Sequence, residues 1–418
     1  MRKHDAVMII GGGALQAPLV HEAQALRLLP LVTDRNPHAP AFKLPGVDPF
    51  VLSTMDVAGH EELMRDLLRM YAVRGVCTAG ADVAPTVAAV AAVAGTPGIP
   101  VDVAQRTHDK LSVRTALEDA GFSRYQPRWG RGTFSGDAFF VYPQMHAAVA
   151  QWGAVVLKPC VQRASRGVFF VDGEEDIPRG FATLSPYMRE QEPFLIEERL
   201  NGTEHSVEGL FGADGSLLWF NVVDRFFDYG SGVPIETGHV NPSALAPLAW
   251  GTLQTIFVDV AHALGITWGP FKIDALVTPK GHPKVLECTA RLSGGWDCQG
   301  TSPLTGRHPM RALVQLACGL PVDAPLTWKP LQGHAACAAI LPQISGRVRA
   351  LPIRWPQMVM SYPQEVMWAI KPGDTITPAR HNGARAGFVL AHAPTSEGAW
   401  QRAKTAADAL AEAVEVSL

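Results

Sequence analysis

The chain has 418 residues, of which 47% are hydrophobic and 18% charged, with a formal net charge of -3. That length and apolar content suit two to four compact units, and the lack of any long basic or acidic run excludes nucleic acid as a partner. The six cysteines, Cys77, Cys160, Cys288, Cys298, Cys318 and Cys337, form no Cys-x-x-Cys pair and read as reduced, mostly buried thiols rather than a zinc site or a disulfide framework. The first apolar run, Ala6 to Ile10, is stopped by three glycines, too early for a signal core or a membrane span. A soluble, cytoplasmic protein is expected.

In chain order, Ala6 to Ile10 reads as a buried parallel strand, Ala14 to Leu28 as a helix and Leu29 to Thr33 as a second strand. Glu61 to Tyr71 reads as a helix, Gly75 to Thr78 as a strand and Val83 to Ala94 as a helix. This alternation predicts right-handed βαβ units in a doubly wound sheet. Gly11-Gly12-Gly13 followed by Asp34 has the outline of a dinucleotide fingerprint, but Gln16 stands where the third glycine belongs. A tight strand-to-helix turn is the preferred reading.

Gly95 to Pro100 is a breaker cluster and a domain edge. A new helix is expected from Thr107, with Asp109 near its start, followed by an irregular stretch from Phe122 to Gly136. Apolar strand-like runs then recur at Val155 to Leu157, Val168 to Val171 and Phe194 to Ile196. Leu253 to Leu264 reads as a helix. Phe271 to Val277 and Lys284 to Cys288 read as antiparallel strands joined by the turn-forming Thr278 to Pro283. A last helix spans Glu397 to Val414, with Thr395 or Ser396 as its N-cap.

Several of these elements end in chemistry. Lys158 closes an apolar strand, which is costly unless its ammonium meets an anion. The following loop holds Gln162, Arg163, Ser165, Arg166 and Gly167, a composition that can fold over a triphosphate. The strand at Phe194 runs out into Glu197 and Glu198, and a turn leads to Glu204. Asp274 and Glu287 lie on facing strands and together suit Mg2+, unless each is tied up in a buried ion pair with Lys272 or Arg291. Beyond Arg291, Gly294 and Gly295 leave room for a substrate.

In order and spacing these residues resemble the ATP-grasp superfamily in its biotin-carboxylase-like arrangement. The resemblance covers nearly the whole chain. It implies an N-terminal doubly wound parallel-sheet α/β domain at 1–105, a central α+β ATP-grasp domain at 106–320 with a small lid subdomain at 125–200, and a C-terminal cap domain at 321–418. It implies ATP contacts from Lys110, Lys158, Ser165, Arg166, Gly167, Glu197, Glu198, Leu200 and Glu204. Asp274 and Glu287 match the metal acids, for two Mg2+ ions or Mn2+ in their place, and Arg291 matches the arginine that steadies the moving phosphoryl group. This chain departs from the family at Thr289, where Asn is usual, and at Asp274, where Glu is common.

The segment Glu236 to Ser243 is similar to one in L-amino-acid ligases and carnosine-synthase-like enzymes. The resemblance implies a substrate pocket of Glu236, His239, Arg291, Gly294 and Gly295, with His239 and Lys158 joining Arg291 in catalysis. The implied activity is an ADP-producing ligase that joins a small carboxylate to an amine through an acyl phosphate, with no membrane partner and room for a homodimer. A carboxylase or formyl transferase, or a non-catalytic ATP sensor, remain alternatives.

Overall fold

The computed structural model describes residues 3–323, 333–352 and 363–417. The expected unit at 321–418 therefore falls partly outside the described residues.

The first sheet contains β1 (Asp5–Ile10), β2 (Leu29–Asp34), β3 (Asp48–Val51) and β4 (Ala72–Cys77), all parallel in the order β3-β2-β1-β4. Residues Ala6 to Ile10 are fully buried because helices cover both faces: α1 (Ala17–Ala25), α2 (Val57–Met70) and α3 (Ala84–Ala94). The glycine turn after β1 is structural. Gly11 has φ +102°, the Gly12 N–H donates to Asp34 Oδ2 at 2.9 Å, and the Gln16 amide donates to the Ala79 carbonyl. Asp34 and Gln16 thus build the turn.

Where one helix was expected from Thr107 there are two, α4 (Val101–His108) and α5 (Lys110–Asp119). Asp109 is extended between them and caps α5, accepting from the Leu111 N–H and the Ser112 hydroxyl, each at 2.9 Å.

A small sheet follows: β5 (Trp129–Thr133), β6 (Val155–Pro159), β7 (Phe169–Val171) and β8 (Pro193–Glu198), in the order β5-β8-β6-β7. It is backed by α6 (Ala138–Trp152) and α7 (Ile177–Leu184), whose apolar faces close a core of their own around Val155, Leu157, Phe169 and Phe194. The stretch from Phe122 expected to be irregular therefore contains β5, and α6 follows it.

The largest sheet has eight strands. They are β9 (Thr203–Phe211), β10 (Leu217–Asp228), β11 (Ile235–Asn241), β12 (Gly269–Val277), β13 (Pro283–Thr289), β14 (His334–Ile340), β16 (Pro363–Trp368) and β18 (Gly387–Ala393). Their order is β13-β12-β9-β10-β11-β14-β18-β16, so the C-terminal strands continue the central sheet. The helix α8 (Pro247–Leu264) packs Phe257 and Val260 under Phe211, Phe271, Ile273 and Ala275. Strand alternation then turns Lys272 and Asp274 to the opposite face, where the cleft lies. A second helix, α9 (Pro309–Ala317), joins the N-terminal sheet to this one. A minor sheet of β15 (Gly346–Ala350), β17 (Thr375–Ile376) and β19 (Glu415–Ser417) completes the chain with α10 (Ser396–Glu412), capped by Thr395. All six cysteines are buried and unpaired. Among the described residues, no helix is long and apolar enough to cross a membrane.

Candidate active site

A cavity of about 290 Å3 opens where α5, the small sheet and the eight-stranded sheet meet, near the lower end of the size of small-molecule pockets. Each wall delivers a charge for a local reason. The Asp109 cap sets Lys110 on the first turn of α5, where Nζ donates to the Gln162 carbonyl at 2.7 Å and lies 2.9 Å from Glu287 Oε1. On β6, Val155 and Leu157 fill the core of the small sheet, so Val156 and Lys158 face the cavity.

Lys158 Nζ lies 2.6 Å from Glu197 Oε2, and Arg114 Nε lies 2.7 Å from Glu197 Oε1. Burial alone would raise the Glu197 carboxyl, but the two cations outweigh it and hold the group at about 2. Arg114 also donates to the carbonyls of Val285 (2.9 Å) and Leu286 (2.7 Å), joining α5, β8 and β13.

Across the hairpin, Asp274 is the register partner of Glu287. Asp274 Oδ1 lies 2.7 Å from Lys272 Nζ and 2.6 Å from Arg225 Nη1. These cations overcome burial and keep Asp274 below the usual carboxylate range. Arg291 reaches back to the N-terminal unit, with Nε 2.5 Å from Asp82 Oδ1. Burial of Asp82 is outweighed by Arg291, and its carboxyl is held at about 2. Glu204 goes the other way. Burial raises its carboxyl, and the Tyr229 hydroxyl donates to Oε1 at 2.7 Å.

The sequence matches the family model of the ATP-grasp domain over residues 153–299 and that of the L-amino acid ligase C-terminal domain 2 over residues 340–415. Residues 153–299 therefore carry an ATP-grasp domain. No curated protein matches it by sequence. Among solved structures it resembles the L-amino acid ligase from Bacillus licheniformis at TM-score 0.74 and 18% identity, covering 97% of each chain. It also resembles phosphoribosylglycinamide synthetase from Anaerococcus prevotii, at TM-score 0.70 and 14% identity over 99% of this chain and 100% of that one. The biotin carboxylase domain of the 2-oxoglutarate carboxylase from Hydrogenobacter thermophilus, solved as a dimer with MgADP and bicarbonate, aligns at TM-score 0.71 and 14% identity over 100% of this chain and 91% of that one.

The cavity gathers Lys110, Lys158, Ser165, Glu197, Glu198, Leu200, Glu204, Glu236, Asp274, Glu287, Arg291, Gly294 and Gly295. Three expected residues lie elsewhere. His239 is 1% exposed and outside the lining, with Nδ1 3.0 Å from Asp297 Oδ1 and Nε2 3.2 Å from the Thr301 hydroxyl. The register of β11 slips between Glu236 and Gly238, so His239 pairs with the cleft residue Arg225 and shares a sheet face with Glu236, held there by Asp297 and Thr301 rather than opening on the cavity. Arg166 and Gly167 also lie outside the lining. Gly167 has φ +71°, and a Cβ there would meet Pro159 at 2.6 Å, so it shapes the loop.

The cavity also holds residues that sequence reading did not assign: Asp82, Arg225, Lys272, Asn382 and Arg385. Arg225 Nε lies 3.0 Å from Glu236 Oε1 and Arg385 Nη1 3.3 Å from Glu236 Oε2, so Glu236 already has two cationic partners. Burial would raise its carboxyl, but Arg225 and Arg385 drive it far below the usual range. Asn382 donates to the Ser165 hydroxyl at 3.0 Å and accepts from the Glu236 N–H at 2.8 Å, clasping the loop to β11. The signal for Arg225 and Lys272 was present, since each is a cation set among apolar residues and close to an acid on its own strand. Asn382 had none.

No cluster of three or more metal-binding side chains occurs among the described residues. The pair Asp274 and Glu287 still fits a hard divalent ion. Both are oxygen donors on adjacent strands, and the Glu287 side chain is 36% exposed to the cleft. Mg2+ takes few protein ligands when phosphate oxygens complete its shell.

Proposed function

We propose that this ATP-grasp ligase activates the carboxylate of an amino acid or a related small acid as an acyl phosphate and joins it to an amine, releasing ADP and phosphate. The observation that carries this reading is the convergence of two lysines, Arg291 and two facing carboxylates on one cleft, with a second charged group of Arg225, Glu236 and Arg385 beside it. An amino acid is itself a pair of opposite charges, and the second group offers both signs.

In this mechanism Lys110 and Lys158 bind the phosphate chain of ATP, exchanging their present partners Glu287 and Glu197 for phosphate oxygens. The segment from Glu197 to Leu200 holds the adenine, and Glu204 the ribose. Mg2+ held by Asp274 and Glu287 would offset charge on the transferring phosphate. The substrate carboxylate attacks the γ-phosphorus in line, forming a C–O–P bond as the bond to ADP breaks. Arg291, released from Asp82, stabilises charge on the moving group. The amine then attacks the acyl carbon, a C–N bond forms, phosphate leaves and the amine proton passes to solvent. The loop from Gln162 to Val168, held by Asn382, keeps bulk water from the acyl phosphate. A homodimer belongs to the same reading, since the biotin carboxylase relative is described as a dimer; analytical ultracentrifugation tests it.

The experiment is a mass-spectrometric screen of amino-acid and amine pairs with ATP and Mg2+. The expected result is an amide or dipeptide mass formed in step with ADP. Phosphate release that depends on bicarbonate or formate alone would instead make the enzyme a carboxylase or formyl transferase. ATP binding with no turnover on any pair would make it a sensor.

A further inference from the structure

The hairpin of β12 and β13 carries two successive rungs on the sheet face that bears the cleft, and they differ in kind. One rung pairs Asp274 with Glu287, and the next on the same face pairs Lys272 with Thr289. The first offers carboxylate oxygens. The second offers an ammonium and a hydroxyl, Thr289 Oγ1, which is buried without a hydrogen-bond partner among the described residues.

The positive charge beside Asp274 is built in. Lys272 Nζ (2.7 Å) and Arg225 Nη1 (2.6 Å) both rest on Oδ1. Lys272 is 7% exposed, and Arg225 is fixed at its other end by Glu236 Oε1. Neither cation can swing out into solvent without leaving its carboxylate partners and unpacking a strand face.

We propose that the cleft takes one divalent cation rather than two, between Asp274 and Glu287, and that Lys272 and Arg225 supply as fixed side chains the positive charge a second ion would bring. This rests on the reading of the cleft as an ATP site. A hard ion needs oxygen donors, whereas ammonium and guanidinium groups only donate hydrogen bonds. A second ion on Asp274 would break two charge-assisted contacts and sit beside two cations in a weakly screened cavity. One consequence is that Mg2+ in excess of ATP adds nothing to the rate.

The test is a Mn2+ titration of the full-length protein loaded with the non-hydrolysable analogue adenylyl imidodiphosphate, counted by electron paramagnetic resonance. One bound ion per nucleotide-loaded chain, magnetically isolated, is expected. Lys272→Met is expected to bind a second ion at least about tenfold more tightly than the wild type. Two ions of comparable affinity in the wild type, or a spin-coupled pair, overturn the one-ion inference and leave the ATP reading standing. An unchanged second-ion affinity in Lys272→Met removes that side chain from the role. Should the variant fail to fold, the wild-type count decides alone. Failure to take up the nucleotide at all overturns the ATP reading itself.

Discussion

Glu197 ties three segments through one carboxylate: Arg114 of α5 on one oxygen, Lys158 of β6 on the other, and its own strand β8. Because its folded carboxyl sits at about 2, against about 4.3 for a free Glu, the pairing contributes stability that is fully present above about pH 5. That contribution, on the order of 3 kcal/mol, is lost as pH falls toward 2. Urea denaturation of Glu197→Gln should show a lower midpoint at pH 7, with the gap to wild type narrowing below pH 4.5. A pH-independent gap would contradict the ion-pair account. At the same scale, Glu287→Ala should abolish turnover while leaving a folded protein by circular dichroism, and wild-type rates would remove its metal role. Lys158→Ala should weaken ATP binding by roughly tenfold or more, read by isothermal titration. Residues such as Lys158, Asp274 and Glu287 were legible in the sequence because a charge within or near the end of an apolar strand demands an explanation. Asp82 was not, because its partner Arg291 lies 209 residues away. His239 was legible by position, but its anchoring to Asp297 and Thr301 was not, since those partners lie about sixty residues further along the chain.

At the scale of elements, the loop after β6 is held in a tight path. Ala164, Ser165 and Gly167 all have positive φ, and Asn382 bonds both Ser165 and the backbone of β11. Asn382→Ala removes that clasp. It should raise the KM for ATP several-fold and increase ADP formed without amide product, as water reaches the acyl phosphate. A ratio of ADP to product unchanged from wild type would mean that the clasp does not guard the intermediate. The strands β1, β2, β4, β6, β7 and β8 were readable from their apolar runs, and the β12–β13 hairpin from its turn residues, whereas β9, β10, β11 and the C-terminal strands were not read. The break between α4 and α5 was not, since Asp109 interrupts a pattern that stays helical on both sides. The helix α6 was hidden by Pro143 inside it and by the exposed Phe139 and Phe140, which blur its narrow buried stripe of Val141, Met145 and Ala148. The edge strand β3 is short and alternately exposed, and gave no signal.

Across the whole molecule, the cleft is assembled from segments distant in sequence. The N-terminal unit lends Asp82, the small sheet lends Lys158 and Glu197, the eight-stranded sheet lends Asp274 and Glu287, and the C-terminal segment lends Asn382 and Arg385. A ligand bridging these walls stabilises them together, so an ATP analogue with Mg2+ should raise the thermal midpoint by several degrees. The same ligand should raise it far less in Glu287→Ala. The central claim is that a carboxylate oxygen attacks the γ-phosphorus of ATP in this cleft. Turnover of a carboxylate substrate labelled with oxygen-18 tests it most directly. The account predicts one labelled oxygen in the inorganic phosphate of each turnover, with ADP as the other product. Unlabelled phosphate, or AMP with pyrophosphate, would contradict it.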